Sequence, residues 1–276
     1  MPELPEVETV RLGLAQIVNV PIQRCRVNRR DVVRDLTERR RGTLDLADLL
    51  QCDKISSTRR HGKQLALIGH AGRVVLIHLG MSGQLLVLAP GERVEGGHAH
   101  VAWSFTDGRR LVFRDPRRFG GVWLLLDQAA LDDRWSRLGV DGLSATGQVL
   151  NERLARSRRS VKAALLDQQA IAGVGNIYAD EGLFNACIKP ARLCSSLNTD
   201  DWARLAQSLQ RVFRAGLQAG GSTLRDYRRP DGSSGQGSAG HLVYGRSGLP
   251  CARCGQVLAS GLLAQRTTVW CSRCQQ

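Results

Sequence analysis

Four cysteines near the C-terminus have the spacing of a metal site. "CARC" and "CSRC" place Cys251, Cys254, Cys271 and Cys274 as two Cys-x-x-Cys pairs with sixteen residues between them. Each pair can offer two thiolates to one ion, and the spacer is long enough for a hairpin that brings the pairs together. Four sulfurs leave no open coordination position, so the chemistry implied is one structural zinc rather than metal catalysis. Disulfides are the competing use of such pairs, and a basic chain of intracellular type argues against them. Cys25, Cys52, Cys187 and Cys194 are scattered and read as reduced, small buried hydrophobes. Within the spacer, Arg266 opens the strand-like run Arg266–Trp270. An arginine on a metal-pinned hairpin is placed to enter a nucleic-acid groove.

Four other stretches carry possible chemistry. "AGVGN" is a Gly-x-Gly-Asn turn that opens a helix, presenting free backbone N–H groups and the short Asn176 amide, which suits a phosphate. An ordinary glycine turn explains the same residues. The adjacent basic run Arg156, Arg158, Arg159 and Lys162 favours phosphate. "HLGMSG" sets Met81 between glycines, and "DPRRFG" sets Arg117, Arg118 and Phe119 in a turn. Core packing is the usual fate of a Met or Phe, but turns flanked by Gly and Pro lie on the surface. Apolar tips there can push into a duplex and occupy a vacated base position. Finally, "MPELPEVETV" repeats Pro-Glu: Pro5, Glu6 and Glu8 suit a helix start, whereas Pro2 has no such explanation at a terminus that ordinarily frays.

Charge points to the same class of partner. The chain carries a formal net charge of +14, and 35 of its 39 basic residues are Arg, in clusters such as Arg39–Arg41 and Arg117–Arg118. Such an excess implies a polyanion, most often nucleic acid, although compositional bias toward Arg gives a similar count. The four Lys are Lys54, Lys63, Lys162 and Lys189. No signal-peptide pattern opens the sequence and no apolar run approaches the roughly 18 residues of a membrane span, so a cytoplasmic protein is expected.

The elements that must hold these residues fall into an α+β, two-domain arrangement. Residues Glu3 to about Val18 have helical spacing, with Val7, Val10, Leu14 and Val18 on one stripe. From Pro21 to Leu126, short strand-type runs separated by turns predict six to eight strands in a sandwich or barrel. Periodicity fades around Asp132 to Gly147, which reads as a linker. Helical patterns follow as "LNERLAR", "SVKAALLDQQAIA", "NIYADEGLFNAC" and "TDDWARLAQSLQRVFRAGLQAG", the last with Thr199 as the expected N-cap. "GSSGQGSAG" then gives a flexible segment before the cysteine pairs. The domains expected are 1–133, a linker 134–149, a helical domain 150–243 and a zinc finger 244–276.

"PELPEVET", "RRHGK", "HLGMSG", "DPRRFG", "GVGNIYADE", "GGSTLRDY", "VYGR" and "AQRTTVWC" with the paired Cys-x-x-Cys together resemble the formamidopyrimidine-DNA glycosylase family, from residue 2 to residue 274. Leu4 favours this branch over the related endonuclease VIII-like enzymes. The resemblance implies an N-terminal β-sandwich with an added helix, then a helix-two-turn-helix domain ending in a β-hairpin zinc finger. Damaged double-stranded DNA would lie in the cleft between them. The implied activity is excision of 8-oxoguanine and formamidopyrimidines by a monomer on the bacterial nucleoid, with strand cleavage and no organic cofactor.

The same resemblance implies roles for particular residues. After loss of Met1, Pro2 would be the nucleophile, its α-amino group having a pKa of about 7.7–8.0 against about 10.4 for Lys. Glu3 would be its general acid, Lys63 the proton donor in β-elimination, and Arg266 the holder of the flipped nucleotide's phosphate. Met81, Arg117 and Phe119 would fill the gap and meet the orphaned cytosine. His98, Arg158, Lys162 and Asn176 would grip the backbone, and about 222–241 would cover the extruded base. Two alternatives stand beside this reading: an endonuclease VIII-like glycosylase for oxidised pyrimidines, and a non-catalytic zinc-finger nucleic-acid binder.

Overall fold

The computed structural model describes residues 2–37, 44–94, 96–222 and 227–276. Met1, the Arg39–Arg41 cluster and residues 223–226 of the expected capping segment lie outside the described residues. The chain divides into two compact units: Met1–Ser136 with Gly220–Gln236, and Arg137–Ala219 with Gly237–Gln276.

Among the described residues, unit 1 holds an N-terminal helix, α1 (Leu4–Gly13), nine strands and one further α-helix. The strands are β1 (Ile22–Val27), β2 (Val33–Asp35), β3 (Ile55–His61), β4 (Gln64–Gly69), β5 (Val74–His78), β6 (Gln84–Leu88), β7 (Ala99–Phe105), β8 (Arg110–Arg114) and β9 (Gly121–Leu125). One sheet has the order β1-β7-β8-β6 and the other β2-β9-β5-β4-β3. Alternating inward residues, among them Leu65, Leu67, Val75, Ile77, Leu85, Val101, Trp103 and Phe113, join Val7, Val10, Leu14 and Ile17 in one core. Helix α1 buries that stripe, and its continuation Leu14–Ile17 tightens to a 3-10 turn. The nine strands exceed the six to eight expected; β2, with three residues and a parallel pairing to β9, leaves little alternation in the sequence.

Two segments differ from expectation. Part of the expected linker is helical, α2 (Gln128–Ser136), whose weak pattern rests on Leu131 and Trp135 alone. Trp135 stacks on His61 and donates from Nε1 to Gln64 (3.0 Å). Gly220–Gln236, read with the helices, packs with the sandwich: Val87 N–H donates to the Pro230 carbonyl (2.7 Å), and Tyr227 joins the core.

Unit 2 holds α3 (Gly147–Leu154), α4 (Val161–Leu166), α5 (Asn176–Asn185) and α6 (Thr199–Gln218). A short parallel pair joins β10 (Val140–Asp141) to β11 (Ile171–Ala172), and the hairpin β12 (Ala259–Leu263) with β13 (Arg266–Trp270) follows. Helix α4 ends six residues before the sequence pattern does. Gln168 explains the break: its carbonyl accepts from Gly139 N–H (2.8 Å) and its Oε1 from Gly173 N–H (2.9 Å), holding a turn where a helix would continue. The cap of α6 is Asn198, not Thr199; its side chain accepts from Asp201 N–H (2.8 Å), and Asp201 reciprocates as in a capping box.

Candidate functional site

The first cluster lies in unit 1 around the start of α1. Pro2 and Glu3 are buried. Glu6, itself 1% exposed, holds them there: one carboxylate oxygen accepts from Glu3 N–H (2.8 Å) and the other from Ser222 N–H (2.7 Å). Tyr227 adds a long hydroxyl bond to the Glu6 carbonyl (3.4 Å). The Pro2-Glu3 end is therefore fixed, unlike an ordinary terminus.

One turn further along α1, Glu8 reaches β3. Arg60 donates from Nε to Glu8 (2.9 Å) and from Nη1 to the Gly62 carbonyl (3.0 Å). Burial alone would raise the Glu8 carboxyl, but hydrogen bonds from Arg11 and Arg60 hold it below its ordinary value. Gly62 and Lys63 form the two-residue turn between β3 and β4, with Gly62 at φ +56°, as a hairpin turn with positive φ at its first position requires. Helix α1, carrying Pro2 and Glu3, is thereby tied to the turn that carries Lys63. Beside Lys63, His78 is paired with Gln64 across β4 and β5. Burial, helped by the charges of Lys63 and Arg134, pushes its imidazole down to about 4, so it is neutral at pH 7 and its Nδ1 accepts from Gly80 N–H (3.1 Å).

The Met81 and Phe119 turns meet in the same unit. Met81 is 37% exposed and Phe119 55%, with the Arg117 guanidinium 4.7 Å over the Phe119 ring. Gly80, at φ +61°, lies so close to the Phe119–Gly120 backbone that a Cβ would fall 2.4 Å from it. Asp115 joins the two turns. It is fully buried, accepts from Ser82 Oγ (2.5 Å) and Gly120 N–H (2.7 Å), and Ser82 Oγ in turn accepts from Arg117 N–H (3.2 Å). His98 is exposed in a left-handed conformation (φ +63°), and its carbonyl accepts from Asp115 N–H (3.2 Å).

Unit 2 brings together Asn176 and the Arg266 hairpin. Gly175 caps α5, and Asn176 Nδ2 donates to the Thr267 carbonyl (2.9 Å). Arg266 and Arg158 are exposed. Lys162 is not: it is fully buried, with Nζ 2.6 Å from Asp180 Oδ1 and 2.7 Å from Thr268 Oγ1. The expectation that Lys162 grips the DNA backbone is therefore corrected, because its ammonium is committed inside the protein.

The same hairpin carries the metal site. The sulfurs of Cys251, Cys254, Cys271 and Cys274 all lie within 4.8 Å of one another, with Cys254 and Cys271 3.5 Å apart and Cys251 and Cys274 4.0 Å apart. A tetrahedron with Zn–S of about 2.3 Å has edges of roughly 3.8 Å, so the four sulfurs fit zinc. Backbone N–H groups of Arg253 and Cys274 approach Cys251 and Cys271 sulfurs at 3.4 Å, as suits thiolates. Gly261 lies within β12 under Trp270; the turn itself is Ala264–Gln265, both at positive φ. Of the scattered cysteines, Cys25 and Cys194 are buried as expected, whereas Cys52 and Cys187 are exposed. Both exposed thiols sit in left-handed turns, φ +59° and +58°, where the backbone reverses at the surface.

Sequence reasoning missed Glu6, Arg60, Asp115 and Asp180 as organisers. Each has at least one partner in a distant segment of the chain, and only the Asp-Pro of the Phe119 turn gave a hint.

The β-sandwich with its buried Pro2-Glu3, and the helical unit that ends in a four-cysteine hairpin, are the class of architecture found in zinc-finger proteins of two units. Three family models match in succession: the formamidopyrimidine-DNA glycosylase N-terminal domain over residues 1–122, the formamidopyrimidine-DNA glycosylase H2TH domain over 138–228, and the zinc finger found in FPG and IleRS over 248–276. The chain is 41% identical over 280 residues to the formamidopyrimidine-DNA glycosylase of Xanthomonas axonopodis pv. citri (strain 306), with all of both chains covered. Among solved structures it is similar to a Lactococcus lactis FPG mutant in complex with a Fapy-dG containing DNA (TM-score 0.88, 30% identity, all of both chains). It is also similar to the MutM (FPG) protein of Thermus thermophilus (TM-score 0.84, 37% identity, 99% of this chain and 98% of that one). The chain belongs to the formamidopyrimidine-DNA glycosylase family. Among the described residues, no helix is long and apolar enough to cross a membrane.

Proposed function

We propose that this protein excises oxidised purines, 8-oxoguanine and formamidopyrimidines, from duplex DNA and cleaves the strand at the resulting site. The observation that carries the proposal is the buried Pro2-Glu3 end, held by Glu6 at the head of a helix that Arg60 ties to the Lys63 turn.

With Met1 removed, the Pro2 secondary amine attacks C1′ of the damaged nucleotide, and the base leaves. A secondary amine gives an iminium that cannot relax to a neutral imine, so it remains an electron sink. Loss of a C2′ proton then expels the 3′-phosphate, and a second elimination expels the 5′-phosphate. Glu3 protonates the opening sugar, Lys63 serves the first elimination, and Arg266 holds the phosphate and assists the second. Met81, Arg117 and Phe119 fill the vacated position, His98, Arg158 and Asn176 contact the backbone, and the segment about 222–241 covers the extruded base. This activity would operate in the cytoplasm, on the nucleoid.

Borohydride trapping on an 8-oxoguanine duplex, with mass mapping of the adduct, tests the assignment. The adduct should map to Pro2; an adduct on Lys63 overturns it. Glu3→Gln should bind an uncleavable abasic-analogue duplex normally yet lose base excision, and excision at the wild-type rate removes Glu3 from the chemistry. Faster excision of thymine glycol than of 8-oxoguanine opposite cytosine would place the chain's activity on pyrimidines.

A further inference from the structure

The buried Lys162 sits where it could set the position of the zinc hairpin. It lies on α4, yet its side chain leaves the helix for β13: Nζ donates to Thr268 Oγ1 (2.7 Å) and, at 3.3 Å, to the Thr267 carbonyl. Asp180 on α5 closes the cluster, one carboxylate oxygen 2.6 Å from Lys162 Nζ and the other accepting from Val269 N–H (3.2 Å). Asn176, at the start of α5, donates to the same Thr267 carbonyl (2.9 Å). Three consecutive residues of β13, directly after Arg266, are thus bonded to two helices.

The zinc does not duplicate this. Its ligands fix the base of the hairpin through Cys271, whereas Arg266 stands at the far end of β13 beside the Ala264–Gln265 turn. An isolated two-stranded hairpin is marginal in water, and its tip is its least constrained part. A charge buried without its partner is also costly, so the Lys162–Asp180 pair admits one arrangement of α4, α5 and β13. We propose that Lys162, with Asp180 and Thr268, is a positioning residue: it sets the register of β13 against α4 and α5 and so aims Arg266 at the phosphate of the flipped nucleotide. The proposal rests on the reading of Arg266 as that phosphate contact.

The test uses the full-length zinc-loaded protein and an uncleavable abasic-analogue duplex, titrated at several salt concentrations. Wild type is compared with Arg266→Ala, Lys162→Met, Thr268→Val and Lys162→Met/Arg266→Ala. Zinc content and Tm are measured throughout, and the ratio of β- to β,δ-product is read on a cleavable abasic duplex. Arg266→Ala should flatten the salt slope by roughly 0.9, one phosphate contact. Lys162→Met should flatten it by no more than that, and Thr268→Val, which removes no charge, should act in the same direction. Both should raise the share of β-product. In the Arg266→Ala background, Lys162→Met should change affinity less than twofold and the slope not at all, because the residue it aims is gone.

A further loss of roughly 0.9 in the double variant would make Lys162 a phosphate contact in its own right and overturn the proposal. An equal fold-loss of affinity in both backgrounds would reduce it to fold stability and overturn it as well. Should Lys162→Met lose zinc or fail to fold, Thr268→Val and Thr268→Val/Arg266→Ala give the same comparison with the ion pair intact. An unchanged slope in Arg266→Ala alone overturns the reading of Arg266 itself, and the proposal with it.

Discussion

His78 offers a perturbation whose size follows from its surroundings. Its imidazole is pushed down to about 4 in the folded protein, first by burial and then by the Lys63 and Arg134 charges. In the unfolded chain the value is about 6.5. A base that takes up its proton less readily when folded gives stability that is complete above 6.5 and is lost as pH falls toward 4. Between pH 7.5 and pH 5 the loss works out at about 2 kcal/mol, with a limit near 3 kcal/mol at lower pH. His78→Asn removes the titration and keeps an acceptor, since the Asn Oδ1 can take the Gly80 N–H that Nδ1 now accepts. The assay is urea unfolding at matched pH values, with a short alkylation pulse that scores exposure of Cys25, which is 2% exposed in the sandwich core. Comparing wild type and variant at the same pH cancels the intrinsic reactivity of the thiol. The wild-type midpoint should fall relative to His78→Asn by about 2 kcal/mol equivalent from pH 7.5 to 5. Parallel midpoints across that range would show that His78 titrates normally and would refute the account. As pH approaches 4, protonation of His78 in the folded protein places a second positive charge beside Lys63 and takes the acceptor from Gly80, so the Met81 turn should loosen there.

Three other outcomes are expected. Cys271→Ser should release the one equivalent of zinc, measured by a metal assay, and abolish DNA binding while Cys25 in the sandwich stays protected; native protein without zinc would contradict the four-sulfur fit. Gly80→Ala places a Cβ against the Phe119–Gly120 backbone and demands positive φ, so Tm should fall by the equivalent of at least 1–3 kcal/mol, and an unchanged Tm would mean that the two turns do not touch. Arg60→Met frees the Lys63 turn from α1, so single-turnover β-elimination should slow more than DNA affinity drops; equal losses would mean that Arg60 supports folding alone.

Much of the architecture was legible because it rests on local pattern. The strand runs from Pro21 to Leu126 alternate around Gly and Asp-Gly turns, and the cysteine spacing can close only by a hairpin. The exposure of Arg266, Met81 and Phe119 was legible too, since turns and a strand end hold them at the surface. Lys162 was not. In the sequence it is one more cation beside Arg158 and Arg159, and its inward direction depends on Asp180 and Thr268, which are brought to it by folding. Glu6 and Asp115 failed for the same reason: in sequence each is an acid at a helix start or a turn, and the second bond of each belongs to a distant segment. The helix limit at Leu166 was misread because Gln168 spends its side chain on the turn, which periodicity cannot register.

The return of Gly220–Gln236 to the sandwich has a consequence for how the protein is made. The first 136 residues leave the ribosome with every strand of both sheets, yet Glu6 then lacks the Ser222 N–H and the core lacks Tyr227. At roughly 5–20 residues per second, the intervening stretch of about 90 residues takes roughly 5–20 s to synthesise. For that interval Pro2 and Glu3 stand in an unfinished setting. The sandwich unit is therefore first to be begun yet closes only after most of the helical unit has been made, and a message cut short before codon 222 would yield a sandwich without the Ser222 N–H that Glu6 accepts.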